Sequence, residues 1–315
     1  MKRLLDAIVY LLIRLFLGLV GWLPAGLAYP FCQALATLVF WLDKKHRRIG
    51  MINLGIAFPD KDQRWKQQVL RRSFQQLGDH VVELSRLSGL TASRLAQRVE
   101  YEEGRGLENY RKAKKEGEPL LFLTAHISAW ELLPVAHALL GHTLSFVVRP
   151  LDNPFLEAWA TRLRTGCGNQ VLSKHRSLKQ VLKTLEQGGD VGFLIDQNTQ
   201  EKEGVYALFF GRPACTSSTL AALALKTSAP VVVGFIYPKD GSPGHYRIRF
   251  YPPIQLAGSG DPEQDLIRGT AEFNRHIEEM IREYPHCWLW GHRRFRTQPD
   301  GTNLYGGELK KGPST

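Results

Sequence analysis

The sequence predicts an α/β fold with a central, mostly parallel sheet flanked by helices, preceded by an N-terminal hydrophobic helical membrane anchor. Three observations lead to this fold class. Apolar segments of strand length alternate with helical patterns of ten residues or more after residue 118, which is typical of βα units. A hydrophobic content of 43% over 315 residues suffices for a large core. The first 42 residues are mostly apolar, and basic residues flank the apolar part at Lys2 and Arg3 and at Lys44–Arg48.

The alternating part of the chain contains the elements of the predicted sheet. Strands are predicted at Leu120–Ala125, Leu144–Arg149, Val191–Ile195, Val231–Ile236 and Tyr246–Tyr251. Helices are predicted at Glu131–Leu140, Pro154–Arg164, Leu178–Gln187, Ser217–Thr227 and Glu263–Glu283. In such sheets ligands bind beyond the carboxyl ends of the strands. His126, Arg149 and Asp196 lie at or just after such ends, so we expect the three side chains to converge on one site.

The N-terminus carries two consecutive apolar segments. The first, Leu4–Leu23, is long enough to cross a bilayer, but Arg14 lies near its middle, where a charge costs about 2.5–3.5 kcal/mol. The second, Leu27–Leu42, is broken early by Pro30. Because basic residues mark the cytoplasmic side of a membrane and stand at both flanks, we expect both ends of this hairpin to face the cytoplasm. An interfacial or re-entrant anchor is favoured over a single span; the alternative is an apolar helical hairpin buried in a soluble protein.

Composition divides the chain into four predicted parts. Residues 1–45 form the anchor, residues 46–100 a helical connector, residues 101–300 the α/β core and residues 301–315 a C-terminal tail. The connector is identified by apolar residues from Trp65 to Leu84 that recur near helical spacing. The chemistry is therefore expected in the third part.

The charge and the cysteines restrict the class of function. Forty-one lysines and arginines against 30 acidic residues give +11, which favours an anionic partner such as acidic lipid, a phosphorylated substrate or an acidic carrier protein. A generally basic surface is the alternative, and no recognition helix or stacking motif supports nucleic-acid binding. The four cysteines lack paired spacing, which argues against a disulfide framework or zinc site and fits a reducing compartment. No Gly-rich phosphate loop and no G-x-S-x-G motif is present, which disfavours nucleotide and serine-hydrolase functions.

The segment "TAHISAWELLP" contains the pair with the clearest chemistry, His126 and Glu131. On one continuous helix the two side chains would point about 140° apart, so they meet only if the chain bends between them. A histidine held by a carboxylate can deprotonate a hydroxyl, which contributes about 10²–10⁴-fold in rate. The alternative is an S-x-x-E capping box, in which Ser128 caps a helix and Glu131 reaches back to its amide. The two interpretations are compatible if a helix begins at Ser128.

Six ordered blocks of sequence resemble one family over about 250 residues. They are "NLGIAFPD" (Asn53–Asp60), "AHISAWE" (Ala125–Glu131), "VVRPLDNP" (Val147–Pro154), "LIDQN" (Leu194–Asn198), "VYALFFGRPACTSS" (Val205–Ser218) and "WLWGHRRFRT" (Trp288–Thr297). Together they resemble the lipid A late acyltransferases, of lauroyl or myristoyl type, within the lysophospholipid acyltransferase superfamily and its H-x-x-x-x-D/E motif. The chain has Ser128 and Ala129 where that family usually has glycine and asparagine.

The resemblance implies a reaction and roles for several residues. His126 would be the general base and Glu131 its partner, while Arg149 and Asp196 would help to form the substrate site. The acyl donor would be a thioester, usually on acyl carrier protein, and the acceptor a hydroxyl of a lipid A precursor or related anionic glycolipid. The reaction would take place at the cytoplasmic face of a bacterial inner membrane. A lysophospholipid or other glycolipid acceptor, or a catalytically silent membrane-associated scaffold of the same fold, are the alternatives.

Two further groups of residues have competing interpretations. Arg212 precedes a predicted helix whose start carries Thr216 and Ser217, and the group resembles a phosphate site, although ordinary helix capping explains the hydroxyls equally. The basic segment Gly291–Arg296, with two tryptophans before it, fits either an anionic partner or packing of the C-terminal segment on the core. His137 and His142 match no metal pattern, and we predict neither a metal nor a cofactor.

Overall fold

The computed structural model describes residues 1–114, 117–148, 150–173, 177–239 and 242–306. Its centre is a seven-stranded sheet in which six of the strands follow one another in the order β9-β8-β2-β5-β3-β4, with β1 at the edge beside β9. All neighbouring pairs in this sheet are parallel except β8 and β9. The predicted α/β class, with a mostly parallel central sheet flanked by helices, is therefore confirmed.

The strands and helices have the following bounds. The strands are β1 (Val99–Tyr101), β2 (Leu121–Thr124), β3 (Ser145–Val148), β4 (Gln170–Ser173), β5 (Val191–Leu194), β6 (Gly204–Phe209), β7 (Arg212–Ser217), β8 (Val231–Pro238) and β9 (Tyr246–Phe250). The helices are α1 (Lys2–Trp22), α2 (Ala25–Leu42), α3 (Lys44–Ala57), α4 (Gln63–Arg86), α5 (Ala92–Ala96), α6 (Leu107–Ala113), α7 (Leu132–Leu139), α8 (Pro154–Thr165), α9 (Ser177–Glu186), α10 (Thr219–Thr227) and α11 (Pro262–Glu283).

The five predicted strands and five predicted helices are all present, with ends that agree to within two residues, except that Arg149 lies outside the described residues. Four strands were not predicted. Two of them, β1 and β4, are short strands at the two edges of the sheet. An edge strand has a neighbouring strand on one side only, so its residues need not form a continuous apolar run. The other two, β6 and β7, form a separate antiparallel hairpin.

Alternation along the strands separates the core into two layers. In β2 and the residue before it, Leu121 and Leu123 pack in one apolar cluster, while Leu120 and Phe122 pack in the other. Successive side chains of a strand point to opposite faces, so both faces of the sheet are buried. Helix α7 covers one face and α11 the other. This two-sided burial leaves the strand ends as the accessible part of the sheet.

The N-terminal helices join the core through α4. Gly78 of α4 lies so close to α2 that a Cβ at this position would be 2.6 Å from the Cys32 carbonyl oxygen. The buried Glu83 of α4 accepts a hydrogen bond of 3.0 Å from Tyr246 of β9 and is also hydrogen bonded to Tyr29 of α2. Arg98 pairs with the same carboxylate at 2.7 Å. Helix α2 is thus fastened to the core by packing against α4 and by a shared buried carboxylate.

Helices α1 and α2 are long and apolar enough to cross a membrane, by length and composition only. Most of their apolar side chains are exposed, and in α1 only Leu17 and Val20 are buried. The alternative of an apolar hairpin buried in a soluble protein is therefore wrong for α1. The exposed apolar surface of the two helices is a weak indication of membrane association.

Candidate active site

His126 and Asp196 lie side by side because of the sheet register. Thr124 at the end of β2 is paired with Leu194 at the end of β5, and each site residue follows two positions later. Adjacent strands are about 4.8 Å apart, so equivalent positions beyond their ends remain neighbours. The expected convergence of these two residues is found in the structure.

The contact between the two side chains defines the tautomer of the histidine. His126 Nδ1 lies 2.9 Å from Asp196 Oδ1, and the His126 backbone N–H donates to Asp196 Oδ2 at 3.0 Å. A carboxylate only accepts hydrogen bonds, so Nδ1 carries a proton, and in the neutral imidazole Nε2 then has the lone pair. The Nε2 atom has the Gln197 side-chain amide 3.4 Å away, a weak contact. An imidazole in this state can accept a proton at Nε2.

Burial and charge act in opposite directions on this pair. Burial lowers the pKa of His126, but the Asp196 carboxylate, with a smaller contribution from Glu131, raises it by more, so the net change is upward. Burial raises the pKa of Asp196, and the charge and hydrogen bond of His126 outweigh burial and hold that pKa well below its usual range. The pair therefore combines an ionised carboxylate with a histidine of increased basicity.

The C-terminal segment completes the surroundings of Asp196. The Trp288 Nε1–H donates to Asp196 Oδ2 at 2.9 Å, and the segment pairs with the chain after β2 through an Ile127–Trp288 bridge. Ser73 of α4 donates to the Trp288 carbonyl at 2.7 Å. Sequence reasoning did not assign Trp288 to this site. Its only signal was the position of Trp288 in the last of the six resembling blocks.

The same C-terminal segment also contacts Asn53, the first residue of the block Asn53–Asp60. The buried Asn53 of α3 donates from Nδ2 to the carbonyls of Trp290 and His292, at 2.8 and 2.7 Å, and accepts from the Tyr305 hydroxyl at 2.6 Å. Trp288, Trp290 and Arg294 are all fully buried. Of the two interpretations of the tryptophans, packing of the C-terminal segment on the core is the one that the structure bears out.

Glu131 makes its direct contacts with Arg164 and not with His126. Arg164 of α8 binds the carboxylate through two nitrogens, with Nε 2.9 Å from Oε2. Burial raises the pKa of Glu131, but Arg164 lowers it by more, so the carboxylate is ionised. Arg164 was not predicted, because nothing in the sequence connects α8 with the start of α7. The carboxylate hydrogen bonded to His126 is that of Asp196.

The predicted capping box is wrong. Helix α7 begins at Leu132, with Glu131 in the N-cap position and without a side-chain cap, so no helix starts at Ser128. Ser128 instead has a positive φ of 52°, and its Oγ is buried without a hydrogen-bond partner among the described residues. A left-handed residue at this point provides the bend after His126.

An aromatic layer covers one side of His126. Trp130 packs edge-on against the His126 ring, with 5.3 Å between centroids, and His80 of α4 stacks on Trp130 at 3.9 Å. Burial lowers the pKa of His80 to about 4, so this imidazole is neutral at pH 7. This uncharged aromatic layer shields His126 from water on that side. The groups that raise the pKa of His126 are the carboxylates of Asp196 and Glu131.

The other predicted substrate residues have different outcomes. Arg149 lies outside the described residues. Arg212 stands at the start of β7, opposite Phe209 and six residues before Ser218, which at roughly 3.4 Å per residue is about 20 Å. The predicted position of Arg212 beside the start of a helix is therefore wrong, because β7 separates it from α10.

The contacts of Thr216 agree with neither of its two interpretations, a phosphate site at a helix start or a helix cap. Its hydroxyl donates to the Ala214 carbonyl at 2.9 Å and accepts from the buried Arg294 at 2.6 Å. Helix α10 begins at Thr219, and its N-cap, Ser218, makes no side-chain hydrogen bond. Arg294 thus fastens the C-terminal segment to the hairpin, and Thr216 does not cap a helix.

Comparison with known proteins extends over nearly the whole chain. The family model of the bacterial lipid A biosynthesis acyltransferases matches residues 2–297. The chain belongs to this family of acyltransferases. The match includes the apolar helices, the site around His126 and the buried C-terminal segment.

Several characterised relatives resemble this acyltransferase in sequence and length. The lipid A biosynthesis palmitoleoyltransferase of Escherichia coli K12 is 27% identical, covering 90% of this chain and 91% of that protein. The lipid A biosynthesis lauroyltransferase of the same strain is 24% identical, covering 89% and 90%. The solved structure of a 1-acyl-sn-glycerophosphate acyltransferase from Thermotoga maritima is similar at 18% identity and a TM-score of 0.39, covering 80% of this chain and 97% of that one.

Proposed function

We propose that this acyltransferase moves a fatty acyl chain from a thioester of acyl carrier protein to a hydroxyl of a lipid A precursor or a related anionic glycolipid. The names of its relatives, which include lauroyl-, myristoyl- and palmitoleoyltransferases of lipid A biosynthesis, support the acceptor class. The net charge of +11 supports an acidic carrier and an anionic acceptor. Exposed apolar surface on α1 and α2 supports action at a membrane, and the basic residues at both flanks of this segment support the cytoplasmic face of the inner membrane.

One observation carries the mechanism, the hydrogen bond from His126 Nδ1–H to Asp196, which makes Nε2 the proton-accepting nitrogen of the neutral ring. The His126 side chain is 22% exposed, so its ring is accessible from one side. In the proposed reaction Nε2 accepts the acceptor's hydroxyl proton while the hydroxyl oxygen bonds to the thioester carbonyl carbon. The tetrahedral intermediate then collapses with cleavage of the C–S bond, and the leaving thiolate takes the proton from the imidazolium.

The carboxylates have separate roles in this proposal. Asp196 fixes the tautomer and stabilises the imidazolium, because it is bonded to Nδ1 and has no charged partner other than the histidine among the described residues. Glu131 acts more remotely, since its charge raises the pKa of His126 while its oxygens bind Arg164. Arg149 stays a predicted substrate residue, and so does Arg212, without support from its position.

An acyl-transfer assay with purified enzyme in neutral detergent tests this function. The donors would be acyl carrier protein and coenzyme A thioesters, and the acceptors a lipid A precursor and a lysophospholipid. His126→Ala should lose at least about 10²-fold in rate, and the exposed His245→Ala is the matched control. Full activity of His126→Ala would exclude the general base, whereas activity of the natural enzyme on lysophospholipid alone would exclude the glycolipid acceptor.

Inactivity of the natural enzyme with every donor and acceptor would favour the scaffold alternative. The family's name describes an enzyme, and His126 keeps both the tautomer and the exposed Nε2 that such chemistry needs. A scaffold would have no use for a histidine whose basicity is increased by two carboxylates. The proposal therefore expects measurable transfer to at least one of the anionic glycolipid acceptors.

A further inference from the structure

A cavity lies between the N-terminal helix α1 and the core. Its volume is about 320 Å³, and its walls come from α1, α7, α8 and the turn after α4. Tyr10 and Arg14 of α1 form one side, and Trp159 and Arg162 of α8 form the opposite side. This size is at the lower end of the range for small-ligand sites. Helix α8 also carries Arg164, which faces Glu131, so the cavity is a neighbour of the candidate active site and shares none of its residues.

The charge of the cavity is positive and unbalanced. Arg14 lies over the Trp159 ring, 5.4 Å from its centroid, and Arg162 stands three residues further along α8. Within the described part of the chain neither guanidinium forms an ion pair, and no aspartate or glutamate lines the cavity. Two uncompensated arginines at one cavity repel each other and attract an anion.

The indole of Trp159 gives an independent indication of a missing partner. Its Nε1–H is buried and has no hydrogen-bond acceptor among the described residues. A buried donor without an acceptor is destabilising, and an oxygen-bearing ligand would supply the missing acceptor. The cavity thus offers two guanidinium groups and one buried N–H to a group that only accepts hydrogen bonds, such as a phosphate.

The remaining walls are mostly apolar. Apart from Ser88 and Cys167, they are formed by leucine, valine and glycine residues of α7, α8 and the turn after α4, among them Val135, Leu139 and Leu163. Free phosphate has no use for such walls, whereas the glycerol and first methylene groups of a lipid do. The lining residues Tyr10 and Arg14 are followed directly in α1 by Leu11 and Leu15, which are more than 60% exposed.

We propose that this cavity binds the phosphate head group of an anionic membrane phospholipid, with Arg14 and Arg162 on the phosphate. The inference rests on the proposed membrane contact of α1 and adds a specific lipid site to it. It also explains why an arginine stands in the middle of an apolar helix. Arg14 is the residue through which α1 and α8 hold the same lipid, so bound lipid would fasten the anchor to the core beside the active site.

Thermal unfolding in neutral detergent tests the site without donor or acceptor. The probe is dihexanoyl phosphatidylglycerol, and the matched zwitterionic control is dihexanoyl phosphatidylcholine. A ligand that binds only the folded protein raises Tm with concentration, so the anionic lipid should raise it and the zwitterionic lipid should not. Arg14→Gln/Arg162→Gln should weaken binding by about tenfold or more, from the loss of charged hydrogen bonds.

Three controls keep the outcome decisive. Arg64→Gln/Arg71→Gln removes the same charge from exposed positions of α4 and should retain the response. Arg162→Gln alone preserves the contact of Arg14 with Trp159, so it separates lost binding from a lost fold. His126→Ala should respond like the natural protein, which makes failure of this site distinguishable from failure of the proposed chemistry. Equal stabilisation by the zwitterionic lipid, or by inorganic phosphate, would overturn the proposal.

Discussion

His126 Nδ1 and Asp196 Oδ1 are 2.9 Å apart, each on a residue that follows its strand by two positions. The parallel register of β2 and β5 therefore creates the contact, and no helix is needed to bring the carboxylate to the histidine. The pair is covered by Trp288, which binds the other carboxylate oxygen. The geometry supports Asp196 as the residue that orients His126, whereas the family resemblance implied Glu131.

Asp196→Asn should reduce the rate of acyl transfer by about 10²–10⁴-fold, because the amide no longer stabilises the imidazolium. Asp196 raises the pKa of His126 in the native enzyme. A general base works when unprotonated, so activity rises as pH rises through that pKa. Loss of the carboxylate should move the acidic limb of the kcat–pH profile to lower pH. Glu186→Gln, at an exposed position of α9, is the control; an unmoved limb in Asp196→Asn would contradict the assigned pairing.

The predictable part of the site is the part fixed by neighbouring strands. His126 and Asp196 could be placed together because alternating βα units give parallel strands, whose ends meet at one edge. Arg164 and Trp288 could not, since their contacts join elements far apart in sequence. The helix start expected at Ser128 is wrong because an S-x-x-E pattern has the same letters whether or not a helix begins there.

The fold shows the same division. Strands β2, β5 and β8 have continuous apolar runs that burial on both faces requires, and all were predicted. The hairpin of β6 and β7 mixes exposed and buried residues, so no apolar run identifies its two strands in the sequence. Without β7, Arg212 is expected near a helix start that in the structure lies beyond this strand.

The contributions of Glu131 and Arg164 to the free energy of unfolding should be coupled through their ion pair. Their side chains are 19% and 15% exposed, so loss of either partner leaves a largely buried charge. We expect Glu131→Gln and Arg164→Met each to lower the free energy of unfolding by about 1–3 kcal/mol, and the double variant to lose less than the sum. Denaturant unfolding of the four proteins measures the coupling, and strict additivity would show that the pair contributes nothing.

The same pair makes a pH-dependent contribution to stability. The folded pKa of Glu131 is lowered by Arg164 against the effect of burial. The stabilisation by ionised Glu131 is therefore present above the ordinary glutamate pKa and is lost as pH falls through the folded value.

Glu131 should also affect the pH dependence of catalysis. In Glu131→Gln the acidic limb of the kcat–pH profile should move to lower pH by less than in Asp196→Asn, because Glu131 makes the smaller contribution to the pKa of His126.

Substitutions at Ser128 should rank by backbone strain. Its φ of 52° favours glycine, and a left-handed conformation costs other residues about 1–2 kcal/mol. The Oγ adds no hydrogen bond among the described residues, and the cavity beside it holds only about 10 Å³. Ser128→Gly should therefore raise the free energy of unfolding by up to about 1 kcal/mol, Ser128→Ala should change it little, and Ser128→Val should lower it. Chemical denaturation gives the order, and a destabilised glycine variant would mean that the hydroxyl has a use in the folded protein.

The exposed apolar side of α1 should control membrane binding. Leu11 and Leu15 are 62% and 63% exposed, so Leu11→Glu/Leu15→Glu removes no buried contact and should leave Tm in detergent nearly unchanged. Burial of an exposed leucine in lipid is worth about 1.5–3 kcal/mol per side chain, and a charge at the same place opposes it further. Co-sedimentation with vesicles should consequently fall by at least about tenfold. Leu208→Glu, at a comparably exposed leucine of the hairpin (57%), should bind as the natural protein does. Helix α1 presents the largest run of exposed leucines in the described chain. If Leu11→Glu/Leu15→Glu nevertheless co-sedimented as well as Leu208→Glu, the membrane contact would have to lie outside this run.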